Sequence, residues 1–327
     1  MRCTVTGATG MLGRALCRRL LDEGHDVIAL VRDEARARAR LPAEVALVGG
    51  DVRDRASVAR AVAGADAVFH AAAWYKVGLG PTAGEEAEAT NVAGTRNVLE
   101  AARDTGARRI LYTSTVAIYG DTKGRFVRED DEPVSAPATI YEATKRRAHY
   151  EIFEPMARAG APVVALLPGV IYGPSDEGPV AGALRMWLAG KLGMLPAGTT
   201  FCWAHVDDVA AAHVAALDGA EVGRSYLLTG PAHTMVEAFG VAARALGRRP
   251  PPIVVPAPLL RAAARLLRPL SGHLPPAFDP ESLRSTAGTT YLGRSDRARA
   301  VLGFTPRSLE EGFVPYVRAL ADEAAAR

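Results

Sequence analysis

Residues 141–145 read Tyr-Glu-Ala-Thr-Lys, with a tyrosine and a lysine four positions apart. On a helix that spacing brings Tyr141 and Lys145 to one face, one turn from each other. A free phenol has a pKa of about 10 and is a poor base at neutral pH. A lysine ammonium within several ångströms favours the phenolate and lowers that value. The pair is either the acid/base of a hydride-transfer enzyme or a solvated turn of an arginine-rich chain, and these five residues leave both open. Lys76, Lys123, Lys145 and Lys191 are the only lysines, so the lysine of the pair stands out.

A second stretch, TGATGMLG, holds Gly7, Gly10 and Gly13. Glycines between a strand and a helix let backbone amides approach a pyrophosphate, and the helix N-terminus adds a favourable field for that anion. The spacing is G-x-x-G-x-x-G, and a plain tight turn is the alternative. Its position as the first strand-to-helix turn favours the nucleotide. The stretch ALVRD then ends the second strand. NAD sites usually place a carboxylate there, and NADP sites an arginine. Here Val31 is followed by Arg32, which can pair bidentately with a phosphate. NADP(H) is the expected cofactor, with NAD(H) the alternative.

The elements that must position these residues alternate. RCTVTGA, DVIALV, VALVGGDV, AVFHAA and RILYTSTV read as strands, separated by helical stretches such as MLGRALCRRLLDEG and NVAGTRNVLEAARDTG. PVVALLPGV at 162–170 reads as a further buried strand. This rhythm calls for a parallel sheet covered on both faces. The expected fold is α/β: a doubly wound parallel sheet over residues 1–173, with 204–230 returning to it. Residues 174–203 and 231–327 are expected to form a smaller interwoven substrate lobe, because Gly- and Pro-containing segments break the rhythm there.

The bulk numbers exclude several classes. Hydrophobic content of 49% and charged content of 23% suit a globular protein, and the net charge of +3, with both signs alternating along the chain, leaves no footprint for nucleic acid. Cys3, Cys17 and Cys202 suggest neither a disulfide framework nor a zinc site. No apolar run is long enough to span a bilayer, so no membrane partner is expected. The first residues read as a strand and not as a leader, and a cytoplasmic location is expected.

With these motifs in place, the chain resembles the extended short-chain dehydrogenase/reductase superfamily along essentially its full length. The resemblance rests on TGATGMLG, GDV at 50–52, HAAA at 70–73, NVAGTRNVLEAA, YTSTVAIYG, YEATK, LLPGVIYGP, HVDDVA and RARAVLGFTPRSLEEGF, in that order. It implies a Rossmann-type fold and assigns the opening pair: Tyr141 as general acid/base and Lys145 as the residue holding the nicotinamide ribose. By matching motif, Thr115 would hydrogen-bond the reacting oxygen. Met11 and Leu12 would lie at the pyrophosphate turn, Asp51 and Val52 would contact the adenine, and Ala71, Ala72 and Ala73 would pass beneath the cofactor. Asn91 corresponds to the Asn before the fifth strand, and Pro168 completes the implied cofactor set. A homodimer is the default for the superfamily.

Departures from the pattern narrow the branch. Sugar dehydratases carry Asp-Glu after the Thr; here Val116 and Ala117 follow Thr115. Sugar enzymes commonly read RYFNVYGP where this chain has Leu167 and Val170 at the Arg and Asn positions. Pro168, LVRD and GKLGMLPAG instead resemble the dihydroflavonol-reductase-like branch, which implies an NADPH-dependent reductase of apolar carbonyls or alcohols. A sugar epimerase holding NAD tightly is the alternative, and a cofactor-bound sensor without turnover is a third reading that the intact Thr115, Tyr141 and Lys145 disfavour.

The remaining polar candidates have plainer readings. His205, Asp207, Asp208 and His213 are expected to be structural and not a metal site, with Asp207 or Asp208 capping a helix. His70 is expected to be a hydrogen-bonded structural histidine. Trp74, Tyr75 and Lys76 are candidates for the substrate pocket, and Met186, Trp187, Met194 and Trp203 for either its walls or the core. The amphipathic run 259–268 is expected to be a lid or packing helix in preference to a membrane-surface contact.

Overall fold

Seven parallel strands form the main sheet of the computed structural model, which describes residues 1–75, 82–270, 273–274 and 279–325. They are β1 (Arg2–Thr6), β2 (Asp26–Val31), β3 (Ala46–Gly49), β4 (Ala67–His70), β5 (Arg109–Thr113) and β6 (Val163–Pro168). After β7 (Val170–Tyr172), β8 (Met194–Pro196) and β9 (Thr200–His205), the chain returns to it as β10 (Ser225–Leu228). The spatial order is β3-β2-β1-β4-β5-β6-β10. The order reverses between β1 and β4, which places a ligand crevice at the carboxyl ends of those strands. β6, Val-Val-Ala-Leu-Leu-Pro, is buried throughout, as expected of a strand covered on both faces.

The two covering layers follow from helical periodicity. Leu16 and Leu20 of helix Met11–Asp22 pack with Val209, Val214 and Leu217 of helix Val206–Gly219 on one face. Val58, Val98, Leu99, Ile152 and Phe153 fill the other.

A second sheet sets β9 between β11 (Ala232–Thr234) and β13 (Thr290–Tyr291), with β7 also paired to β9. β12 (Ile253–Val255) pairs with β8 alone. A separate core of Tyr172, Trp187, Trp203, Phe239 and Phe313 lies beside them. Both indoles are satisfied inside it, Trp187 Nε1 donating to Arg249 O and Trp203 Nε1 to His233 O. These two tryptophans therefore belong to the core, Met186 is half-buried, and Met194 is largely exposed.

Two segments cross the boundaries expected from the sequence. Val170–Tyr172 pairs in the second sheet, although it precedes residue 173. Ala298, Leu302 and Phe304 pack in the main-sheet core, because helix Asp296–Leu302 lies against β10 and helix Val206–Gly219. Neither aspartate caps helix Val206–Gly219. His205 does, its Nδ1 accepting from Asp207 N at 3.2 Å, while Asp208 is drawn away by a bidentate pairing with Arg307. Among the described residues no helix is long and apolar enough to cross a membrane.

Candidate active site

Tyr141 and Lys145 share one face of helix Ile140–Ala148. Thr139 starts this helix, its hydroxyl accepting from Glu142 N at 3.1 Å. Lys145 is buried, and its Nζ donates to Thr113 O at 2.8 Å while standing 4.5 Å above the centre of the Tyr112 ring. Burial pushes its ammonium down to about 7. Tyr141 is half-buried, with the Tyr75 ring edge-on at 4.7 Å.

Burial and, second, the neighbouring Tyr75 raise the Tyr141 phenol above its ordinary value, and hydrogen bonding with Thr115 works against them. The lowering expected from Lys145 therefore does not govern the phenol here. Desolvation acts on both groups at once, favouring neutral phenol and neutral amine alike. Thr115 stands at the end of β5 and starts the short turn Val116–Tyr119, accepting from Ala117 N at 3.2 Å. Its own hydroxyl is within hydrogen-bonding reach of the Tyr141 phenol.

Beneath this trio runs a fully buried polar chain. Thr95 Oγ1 donates to Asn91 O at 2.7 Å, so its single proton is spent and it accepts from His70 Nε2 at 3.0 Å. His70 Nδ1 then accepts from Thr6 Oγ1 at 2.7 Å. Burial, with the charge of Lys145 adding to it, pushes the imidazole down to about 3. His70 is thus a neutral strut between β1, β4 and the helical segment that carries Asn91. Asn91 sits in a π-helical stretch, Glu88–Gly94, the kind of distortion that often marks a functional position. Its Oδ1 accepts from Trp74 N at 2.7 Å, and its Nδ2 donates to Trp74 O and to Thr144 Oγ1. Asn91 therefore fixes the Trp74–Tyr75 segment against helix Ile140–Ala148. Lys76 lies outside the described residues.

The glycine turn fits a dinucleotide. Gly7 has φ +73°, and a β-carbon on it would lie 2.6 Å from Ala72 N; one on Gly13 would strike Gly7 O. Gly10 opens helix Met11–Asp22 with extended backbone, no side chain caps that end, and no acid lies in its first turn. Met11 and Leu12 are partly accessible there, and Ala71 and Ala72 line the facing end of β4 with Ala73 exposed beyond them. Amides without a side-chain acceptor beside a close backbone approach suit the pyrophosphate of a bound NAD(P).

Beyond the end of β3, Asp51 is held by a bidentate pairing with Arg53, at 3.0 and 2.7 Å, and Val52 is buried against Gly94. Val31 is buried and Arg32 exposed, while Asp33 is committed to capping helix Glu34–Arg38. Pro168 ends β6 beside Leu228 of β10.

The sequence reading missed three supports of this site. Thr144 anchors Asn91, Tyr112 seats Lys145, and Glu281 accepts from Ile140 N at 2.7 Å at the start of helix Ile140–Ala148. Thr144 could have been found, since it lies inside YEATK; Glu281 gives no local signal.

Comparison with known proteins agrees with this geometry. The family model described as "NAD dependent epimerase/dehydratase family" matches residues 3–228. The chain is 30% identical over 324 residues to sterol demethylase protein B of Methylococcus capsulatus, covering 97% of each. It is 34% identical over 317 residues to a 3-diazoavenalumate denitrifying reductase of a Streptomyces species, covering 94% of this chain and 96% of that one. The crystal structure of gox2253 superposes with a TM-score of 0.83 at 29% identity, covering 98% of both chains.

Proposed function

The chain belongs to the NAD dependent epimerase/dehydratase family and is an NAD(P)-dependent oxidoreductase of the extended short-chain dehydrogenase/reductase type, and from that premise we propose an NADP(H)-dependent reductase acting on the carbonyl or alcohol of an apolar small molecule. The observation that carries the reading is the convergence of Thr115, Tyr141 and Lys145 at the carboxyl end of β5, beside a β6 that ends in the apolar residues Leu167 and Pro168. Leu167 and Val170 stand where sugar enzymes carry Arg and Asn, so a polar ligand for a sugar diphosphate is missing there, and an apolar substrate leaves no group unpaired. Two relatives are named for a sterol and for a reductase, which supports the same reading.

A bound nicotinamide supplies or accepts the hydride. Tyr141 donates its phenolic proton to the oxygen of the reduced carbonyl, and takes it back in the oxidative direction. A phenol raised by burial holds that proton at neutral pH, so Tyr141 is poised as the acid of a reduction. Thr115 steadies the oxygen by hydrogen bonding, and Lys145 would hold the nicotinamide ribose. Arg32, exposed beyond the buried Val31, pairs with the 2′-phosphate.

The test is calorimetric titration of cofactor-stripped protein with NADPH and NADH, followed by a screen of apolar ketones and aldehydes. NADPH should bind more tightly, and Arg32→Ala should weaken it by about tenfold or more while leaving NADH unchanged. A preference for NADH, or NAD that cannot be stripped and no net consumption of free cofactor, would replace this reading with the epimerase.

A further inference from the structure

The alternation of charge fails over one long basic stretch of the chain. Between Glu237 and Asp279 there is no acidic residue, while Arg244, Arg248, Arg249, Arg261, Arg265 and Arg268 all lie there. Six positive charges in a chain of net charge +3 leave the remainder net negative. The same stretch holds the largest concentration of exposed apolar side chains among the described residues. Ile253, Val254, Leu259, Leu266 and Leu270 are 54%, 46%, 61%, 79% and 50% exposed. Met194, the register partner of Ile253, is 42% exposed.

Helix Ala257–Leu266 explains how these coexist. Leu260 and Ala264 face inward onto Leu283 and Ala287, which accounts for one face as a packing helix. Leu259 and Leu266, seven residues apart, lie on a second stripe that faces solvent, Arg261 and Arg265 lie on a third, and Arg268 follows in the exposed turn Arg268–Leu270. Exposed apolar side chains beside arginines, in a stretch of sequence that carries no acid, match a surface that is apolar inside and anionic outside. Nucleic acid would use the arginines and leave the leucines in water.

We propose that the segment from β12 through Leu270 is a docking surface for an anionic lipid bilayer, with Leu259 and Leu266 entering the headgroup boundary and Arg261, Arg265 and Arg268 contacting lipid phosphates. The surface is coupled to the site. Helix Pro280–Ser285, which packs under the docking helix, carries Glu281, and Glu281 holds the amide of Ile140 beside Tyr141. The proposal deepens the apolar-substrate reading, since such a substrate partitions into membranes; the binding assay does not depend on that reading.

The full chain is sedimented with vesicles of phosphatidylcholine alone and of phosphatidylcholine with about 30 mol% phosphatidylglycerol. It should pellet with the anionic vesicles and not with the neutral ones. R261A/R265A/R268A should lower the partition by roughly fivefold for each arginine removed, and L259S/L266S by about tenfold or more. Both variants change exposed residues, and unaltered NADPH titration and circular dichroism confirm that they fold. In a second arm, the KM for an apolar ketone carried in anionic vesicles should rise in both variants, while the KM for a water-soluble ketone stays fixed. No pelleting with anionic vesicles overturns the proposal whatever the enzyme reduces. So does pelleting that survives L259S/L266S, with soluble polyglutamate bound equally well, which would assign the patch to an acidic partner. Absence of reductase activity with intact pelleting would count against the function proposed above and leave the docking surface standing.

Discussion

Backbone passes backbone closer than a β-carbon allows at the glycine turn and at the seam between the two sheets. In the turn, Gly7 lets the chain leaving β1 pass the end of β4, and Gly13 lets the first helix close onto Gly7. At the seam, Gly169 and Gly230 follow the paired ends of β6 and β10, and each runs against β9. A β-carbon on Gly169 would lie 2.2 Å from Cys202 O, and one on Gly230 only 1.8 Å from Trp203 O. The turn makes room for a ligand, whereas the seam lets one sheet hand the chain to another. The two therefore respond differently to the same substitution.

Gly230→Ala is expected to have the largest effect. The obstructing atom is a backbone carbonyl, which cannot rotate away, so the change should cost more than about 4 kcal/mol or prevent folding. The urea midpoint of the purified variant checks this, and a loss below about 1 kcal/mol would show that the seam yields. Gly7→Ala combines a β-carbon clash with a positive φ, whose strain alone costs about 1–3 kcal/mol. It should also weaken NADPH and NADH binding together, whereas a folded seam variant should retain cofactor affinity.

Acid acts on the main-sheet half through its buried histidines. His70, His149 and His213 are buried in the main-sheet half, and burial pushes them down to about 3, 3 and 4. Each folded pKa lies below the unfolded value of about 6.5. As pH falls the unfolded chain takes up the proton first, so stability present above pH 6.5 is lost as pH falls toward the folded values. Each histidine contributes a slope of about 1.4 kcal/mol per pH unit in that window. His149 Nδ1 has no hydrogen-bond partner in this structure, so His149→Phe removes its slope without breaking a bond through that atom. Denaturant unfolding of both proteins between pH 6 and 4 should show the difference, and parallel curves would contradict it.

The same contrast explains what the sequence could reveal. The glycine turn, the alternating strands and helices, and the Tyr141–Lys145 pair rest on spacings within a few residues, which helical and strand periods convert directly into faces. The seam depends on Gly169 and Gly230 meeting one strand from distant parts of the chain. Glu281 reaches helix Ile140–Ala148 in the same long-range way, and Arg307 draws Asp208 from the cap position that local preference had given to an aspartate. Burial is also invisible locally. Proximity of Lys145 suggested a lowered Tyr141 phenol, but desolvation, which only the folded surroundings set, raises it.

The central claim is that Thr115, Tyr141 and Lys145 form the hydride-transfer site. Its most direct measurement is single-turnover reduction of an active apolar ketone by NADPH with Tyr141→Phe, alongside NADPH titration of the same variant. Loss of the phenolic proton should slow the reduction by at least about 100-fold while NADPH affinity stays unchanged. Reduction at the unaltered rate would place the acid elsewhere and contradict the account.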